Sequence, residues 1–239
     1  MALIEKCICG EDVDTSGYSF ASWRRFGLEL KTCQKCAVTH QVLDMTEEEY
    51  ANFYKEQYHT EFQEERGTKT YKDRYKHDTE VAALRADKYK DFFDIGMKIL
   101  DIGASNGAFI EYLRGKFGYE AWGLDYTEHP LIIKPPATTE RYESTFHMVT
   151  MHDVFEHLTN PAERLEFVFS VLRPNGTLII DSPDFFSPHG KHHWKPIEHL
   201  WYYDVEQLKD IVSVAGFTPL YVDYPIPGKL VLYCKSIKC

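Results

Sequence analysis

The 239-residue sequence has no apolar run long enough to cross a bilayer, which takes about 20 residues in a helix. Its first residues, Met1 to Gly10, lack the basic start, apolar core and small-residue cleavage site of a secretory leader. These absences set the expectation of a cytoplasmic chain without membrane contact. Basic residues are in deficit: 27 Lys and Arg stand against 37 Asp and Glu, a formal net charge of −10. A dedicated nucleic-acid binder needs a basic footprint to displace counterions from phosphates, so DNA and RNA are disfavoured as partners. No internal repeat is present, and with it any array of stacked units is excluded. What remains is a globular composition, 44% apolar, long enough for one α/β domain and a small accessory piece.

Cysteine is scarce and concentrated. Of six, four lie near the start as Cys7-Ile-Cys9 and Cys33-Gln-Lys-Cys36, and two near the far end, Cys234 and Cys239. In a reducing compartment two such pairs point to a metal rather than to disulfides. Zn²⁺ favours four thiolates in a tetrahedron, and two turns can supply two each. Cys7, Cys9, Cys33 and Cys36 are therefore the expected ligands of a structural zinc in a ribbon-like module over residues 1–45. The first pair is one residue shorter than the usual knuckle, and His40 is a candidate substitute ligand. A segment this short needs a metal or a docking surface to stay folded.

Residues 46–95 read as a helical linker or lid. Thr46-Glu-Glu-Glu49 is a capping box. Tyr50, Phe53, Tyr54 and Tyr58 follow at helical spacing, a stripe that packs on the main domain, with Tyr54 or Tyr58 placed to line a cleft. A second helix is predicted from about Tyr71 to Phe93, with Val81, Leu84, Lys88 and Phe92 on one face. The mixed charges from Glu61 to Arg85 read as a solvated helical surface.

From residue 96 to 239 strands and helices alternate. Strands are predicted at Met97–Ile102, Glu120–Asp125, Phe146–Met151 and Thr177–Asp181. Helices are predicted from Gly107, with Ile110, Leu113 and Phe117 inward, from the Asn160-Pro161 cap, and from Asp204. Phe217–Tyr224 and Lys229–Cys234, joined by Pro225-Ile-Pro-Gly228, form a terminal hairpin. Such alternation implies a doubly wound, Rossmann-like parallel sheet ending in an antiparallel hairpin.

The centre of this domain is Lys98-Ile-Leu-Asp-Ile-Gly-Ala-Ser-Asn-Gly-Ala-Phe109. A strand ends in Asp101, small residues from Gly103 to Gly107 allow close approach of a ligand to the backbone, and a helix then points its amide end at that ligand. Asp125 follows about 20 residues later, the spacing of a ribose-binding carboxylate. Ser105 stands where a dinucleotide fingerprint has its middle glycine, which disfavours that class.

The stretch Ile99–Gly107 resembles motif I of class I S-adenosylmethionine-dependent methyltransferases. Gly123-Leu-Asp125, Met151-His-Asp-Val-Phe-Glu-His-Leu158 with Asn160-Pro161, and Leu172-Arg-Pro-Asn-Gly-Thr-Leu178 resemble that family's later motifs, in the same order. The resemblance implies S-adenosylmethionine as cofactor. It implies that Asp101, Gly103, Ala104, Ser105, Asn106 and Gly107 shape the pocket for the amino-acid end, Asp125 binds the ribose, and Met151 and His152 lie beside the sulfonium. Between Asp125 and Phe146 only about 20 residues are available where the family fits a helix and a third strand. Either the strand is very short or the helix is absent, and no adenine contact is assigned.

Methyl transfer from a sulfonium needs alignment and exclusion of water, and a base when the acceptor is a poor nucleophile. The loop after Asp181 holds the candidates: His189, His192, His193, Glu198 and His199. Ile197-Glu-His-Leu-Trp-Tyr-Tyr203 resembles a motif of bacterial sugar methyltransferases, among them nucleotide-sugar C-methyltransferases with an N-terminal cysteine-rich zinc module. That resemblance implies His199 as base, Glu198 as its orienting partner, and a small-molecule or sugar acceptor. The competing expectation is a non-catalytic zinc-ribbon interaction protein on a degenerate form of the same fold.

Overall fold

A computed structural model describes residues 3–4, 6–12, 20–25, 27–54, 71–126, 129–133 and 139–238. Two sheets organise them. The larger contains β4 (Lys98–Ile102), β5 (Glu120–Leu124), β6 (Ile132–Ile133), β7 (Phe146–His152), β8 (Leu172–Pro183), β10 (Phe217–Asp223) and β11 (Lys229–Ser236), in spatial order β10-β11-β8-β7-β4-β5-β6. Strands β6, β5, β4, β7 and β8 pair in parallel, whereas β11 is antiparallel to both β8 and β10. The expected doubly wound sheet and terminal hairpin are both present. The smaller sheet joins β1 (Phe20–Arg25), β2 (Leu28–Cys33) and β3 (Thr39–Gln41) to a distant partner, β9 (Trp201–Tyr202).

Parallel strands covered on both faces are uniformly apolar. Ile99, Leu100, Met148, Val149, Leu178, Ile179 and Ile180 are almost fully buried, and polar residues such as Asp101 and Thr150 are buried among them. Helices α3 (Ala108–Phe117), α5 (Pro161–Val171) and α6 (Val205–Val214) cover the sheet. Their starts are set locally. Asn160 caps α5 by accepting from the Glu163 amide at 3.2 Å, with Pro161 in the first turn. Asp204 and Gln207 close a capping box on α6. Ile110 and Leu113 of α3 point inward as expected, but Phe117 is 41% exposed, because α3 ends there and Gly118 turns the chain away in a left-handed conformation.

Helix α1 (Glu47–Asn52) starts at the predicted Thr46–Glu49 capping box. Helix α2 (Tyr71–Tyr89) continues into a short 3₁₀ turn, Lys90–Phe92. The face it buries differs from the expected one. Ala82, Ala86 and Tyr89 are buried, whereas Leu84 is 67% exposed. Alanines at this spacing let α2 lie close against α3, and one large aromatic then fills the end of the groove. Tyr58 and the charged segment from Glu61 to Thr70 lie outside the described residues. No helix among the described residues is long and apolar enough to cross a membrane.

The segment after β5 resolves the question of the missing elements. β6 is two residues long and pairs with Gly123 and Leu124, and no helix intervenes among the described residues. A Cβ on Gly123 would stand 2.5 Å from the Ala104 Cβ, so the absent side chain is what lets β5 lie against the ligand turn. The four-residue α4 (Thr139–Tyr142) then leads into β7.

Leu113→Ala should lower the unfolding free energy by about 2–5 kcal/mol through cavity formation. Leu84→Ala should change it by no more than about 0.5 kcal/mol. Urea titration of both variants measures the contrast, and equal losses would contradict the assignment of the buried face.

Candidate functional site

The carboxyl ends of β4, β5 and β7 meet at one edge of the sheet, where doubly wound folds hold their ligands. Asp101, buried near the end of β4, accepts a hydrogen bond from the Thr150 hydroxyl of β7 at 2.7 Å. His152 Nδ1 stands 3.0 Å from the same Asp101 oxygen, and its Nε2 is 3.0 Å from the Tyr89 hydroxyl of α2. The Tyr89 and His152 rings are parallel, and Phe109 meets His152 edge-on at 4.8 Å. His152 is thus clamped by a carboxylate, a phenol and two rings.

The turn after β4 is drawn into a cup. Gly103 has φ +73°, and a Cβ there would fall 2.2 Å from a Val154 methyl, so the position demands glycine on both counts. The Ser105 amide donates to Asp125 Oδ2 at 2.8 Å, which ties the end of β5 to the turn. Asn106 bridges two helices: its side-chain amide donates to Asp78 of α2 at 2.6 Å, and its oxygen accepts from the Ala108 amide at 3.2 Å. Ala104 and Met151 are buried beside it, and Gly107 stands at the amino end of α3 in a left-handed conformation.

Beyond His152 the chain turns at Asp153, also left-handed at φ +54°. Asp153 and Asp181, at the ends of β7 and β8, share two cations. Arg85 of α2 lies 3.3 Å from Asp181 and 3.7 Å from Asp153. Lys229, at the start of β11, pairs with Asp153 and lies 3.1 Å from Asp181. Burial pushes the Asp153 carboxyl up, but Lys229 and Arg85 override it and hold the group down at about 2. The Asp153 side chain is nevertheless 49% exposed, while those of Lys229 and Asp181 are only 10% and 9% exposed. Asp153 is thus a carboxylate paired with largely buried cations yet half-open to solvent.

The next turn, Phe155–His157, meets the loop before β9. The Leu200 amide donates to the Glu156 carbonyl at 2.8 Å and the Trp201 indole to the Leu158 carbonyl at 2.7 Å. Glu156 is fully buried, and burial, reinforced by Asp153, pushes its carboxyl up to about 8. Burial holds His157 down at about 4 and His199 well below its ordinary value, so both imidazoles are neutral at pH 7. The two rings meet edge-on at 4.7 Å. His199 Nδ1 lies 2.5 Å from the His193 carbonyl, and Lys195 Nζ lies 3.6 Å from a carboxylate oxygen of the buried Glu198. The ring of His199 is therefore oriented by a backbone carbonyl. Glu198 anchors the loop through its own carbonyl, which accepts from Tyr50 at 3.2 Å and Tyr54 at 3.4 Å.

The cysteine cluster closes on itself. Cys7 and Cys36 sulfurs are 3.4 Å apart and those of Cys9 and Cys33 3.7 Å, and all four lie within 4.8 Å of one another. Four thiolates about 2.3 Å from one zinc ion stand about 3.8 Å apart, so the set fits a tetrahedral site. The short first pair works because Gly10, at φ +88°, completes its turn by donating to the Cys7 carbonyl at 2.8 Å. His40 is not part of the cluster. It packs against Trp201 at 5.7 Å, and its Nδ1 lies 3.1 Å from the Gln41 carbonyl, because β3 pairs with β9. That pairing, with Gln41 amide to Leu200 carbonyl at 2.8 Å, joins the cysteine module to the loop that carries Glu198 and His199.

The structure thus gathers the residues predicted around Asp101, Asp125 and His152 at one sheet edge, and brings Glu198 and His199 against the turn that follows them. Tyr54 takes part, its hydroxyl 2.7 Å from His157 Nδ1. The sequence pattern does not single out Asp78, Arg85 and Tyr89, because the large apolar residues of α2 mark a different face from the alanine face that turns toward the site. Nor does it single out Lys229, which nothing in the sequence distinguishes from a surface lysine.

The sequence matches the family described as a methyltransferase domain over residues 71–222. No curated protein matches it. Among solved structures, a S-adenosylmethionine-dependent methyltransferase from Archaeoglobus fulgidus is similar at 19% identity and TM-score 0.52, over 66% of this chain and 94% of that one. A Burkholderia thailandensis 1,6-didemethyltoxoflavin-N1-methyltransferase, solved with 1,6-didemethyltoxoflavin and S-adenosylhomocysteine, is similar at 14% identity and TM-score 0.55, over 84% and 96%. A Thermotoga maritima methyltransferase gives 16% identity and TM-score 0.51, over 69% and 94%. At these identities the likeness is one of fold.

Removing one cation from the buried charge cluster leaves an uncompensated carboxylate. Lys229→Met should cost about 3–5 kcal/mol of stability in urea denaturation. A loss below about 1 kcal/mol, the range of exposed pairs, would show that Lys229 does not hold these carboxylates.

Proposed function

The chain belongs to the methyltransferase-domain family and is a class I S-adenosylmethionine-dependent methyltransferase, and on that premise we propose that its acceptor is a small molecule or a sugar, free or nucleotide-linked. The observation that carries the reading is that one sheet edge bears both halves of such a site. The Asp101–Asp125–His152 cup leads directly, through Asp153, into the turn that holds His199. The non-catalytic alternative gives way to the family assignment. The small-molecule ligand of the Burkholderia structure is in keeping with this acceptor class.

The residues of the cup fit the cofactor: a small-residue turn, a helix amide end, and a strand-end carboxylate already oriented by the Ser105 amide. When bound, S-adenosylmethionine supplies an electrophilic methyl carbon on a sulfonium. Asp101, Gly103, Ala104, Ser105, Asn106 and Gly107 would enclose its amino-acid end, and Asp125 would take the ribose hydroxyls. Met151 and His152 would lie beside the sulfonium, with His152 fixed by Tyr89. His199 would take the acceptor's proton at Nε2. Glu198 is its positioning partner, acting through the loop backbone held by Tyr50 and Tyr54.

We assign a structural zinc to Cys7, Cys9, Cys33 and Cys36, and with it a division into a zinc module over 1–45, a helical lid over 46–95 and the transfer domain over 96–239, in a cytoplasmic protein. The ladder between β3 and β9 gives the metal a task beyond its own module, since it braces the loop of His199.

His199→Ala should lower turnover by about 10²–10⁴-fold while leaving cofactor affinity nearly unchanged. Wild-type turnover in that variant would remove His199 from its role. A Cys33→Ser plus Cys36→Ser variant should lose about one zinc per chain by elemental analysis. Unchanged zinc content would refute the assignment.

A further inference from the structure

The turn Phe155–His157 and the loop before β9 bring together three ligand-type atoms that methyl transfer uses only in part. Glu156 is fully buried, and its Oε1 has no hydrogen-bond partner, while Oε2 receives only the Ser182 hydroxyl at 3.4 Å. His157 Nε2 stands 4.0 Å from that Oε1. One ligand atom each from Glu156, His157 and His199 lie within 4.8 Å of one another.

The outer nitrogens of both imidazoles are engaged. His199 Nδ1 lies 2.5 Å from the His193 carbonyl, which can only accept, so the proton sits on Nδ1 and Nε2 presents a bare lone pair. The Tyr54 hydroxyl lies 2.7 Å from His157 Nδ1 and 3.4 Å from the Glu198 carbonyl; in the tautomer that donates from Nδ1 to Tyr54, His157 Nε2 is bare as well. This is the arrangement of metal-bound histidines, the outer N–H fixed on an oxygen and the inner lone pair turned to the ion.

We propose that Glu156, His157 and His199 hold a divalent transition-metal ion of the zinc, cobalt and nickel class. One carboxylate and two imidazoles match that class, whereas Ca²⁺ and Mg²⁺ demand more oxygen ligands than the cluster offers. Ligand atoms on a tetrahedral ion stand about 3.3–3.5 Å apart, so the three groups draw together by about 1 Å when the ion binds. The ion gives the orphaned Glu156 oxygen its missing partner. Of the two lysines near the cluster, Lys195 is drawn off toward Glu198 at 3.6 Å, and Lys229 is paired with Asp153 and Asp181. An ion here occupies the His199 lone pair that an acceptor's proton would take, so occupancy and base catalysis exclude each other. That consequence rests on the proposed function. Binding itself does not.

The test is titration of Co²⁺ into folded protein whose cysteine cluster is already zinc-loaded. One equivalent should bind with visible d–d absorption and without a thiolate-to-cobalt charge-transfer band, since no cysteine takes part. Glu156→Gln and His157→Asn should each weaken binding by at least about tenfold, with circular dichroism confirming the fold of each. If one variant does not fold, the other decides. Absence of d–d absorption in the wild type, a thiolate band, or an unaltered titration in the folded variants would each overturn the site. Turnover plays no part in these readouts, so failure of the methyl-transfer proposal and failure of the metal site remain separable.

Discussion

Parallel pairing of β4 between β5 and β7 is the constraint on which the rest of the molecule depends. Its register sets Ile102 beside Leu124 on one side and beside Met151 on the other, so three strand ends come level. Asp101, Asp125 and His152 emerge together as a result. A slip of one residue in either ladder would turn the set to the opposite faces of the sheet. The cross-strand bond from Thr150 to Asp101 satisfies one polar pair that this register buries. The cup is therefore a consequence of strand register, made possible by Gly103, which lets the turn after β4 pack against Val154, and by Gly123, which lets β5 lie against Ala104 of that turn.

A second layer of support comes from outside the sheet. Helix α2 supplies Asp78, Arg85 and Tyr89, each to a different part of the site. The cysteine module supplies a strand partner to β9. Ile197, a β-branched residue at φ +66°, stands just before Glu198 and His199. Such a conformation costs on the order of 1–3 kcal/mol and survives only where surroundings over-determine it. Here the bonds from Tyr50 and Tyr54, the Leu200 amide on Glu156, and the β3–β9 ladder do so. The loop that bears the proposed base is braced from three directions, which suits a reaction in which alignment of two reactants is the main demand.

Much of this was legible in the sequence. Apolar runs ending in carboxylates, the Thr46, Asn160 and Asp204 caps, and the spacing of glycines are local signals, and the elements they predict are present. The paired cysteines converge although one pair has a short spacer, because Gly10 completes the turn. What could not be read were contacts between elements far apart in the chain. Nothing near Lys229 in sequence announces that β11 will carry it between Asp153 and Asp181. The alanine face of α2 reads as weakly amphipathic, although its small residues are what allow close packing. His40 looked like a spare ligand, and only the pairing of β3 with β9 turns it toward Trp201. The short segment after Asp125 was readable as a departure, but its resolution into a two-residue strand depends on how Gly123 packs.

Binding of S-adenosylmethionine by the cup at the ends of β4, β5 and β7 is measured by isothermal titration calorimetry of the folded, zinc-loaded chain with that ligand. One saturable site should appear, with a dissociation constant between about 1 µM and 1 mM, and it should vanish on Asp125→Ala. No saturable heat at millimolar ligand, or binding unaffected by that substitution, would contradict the account.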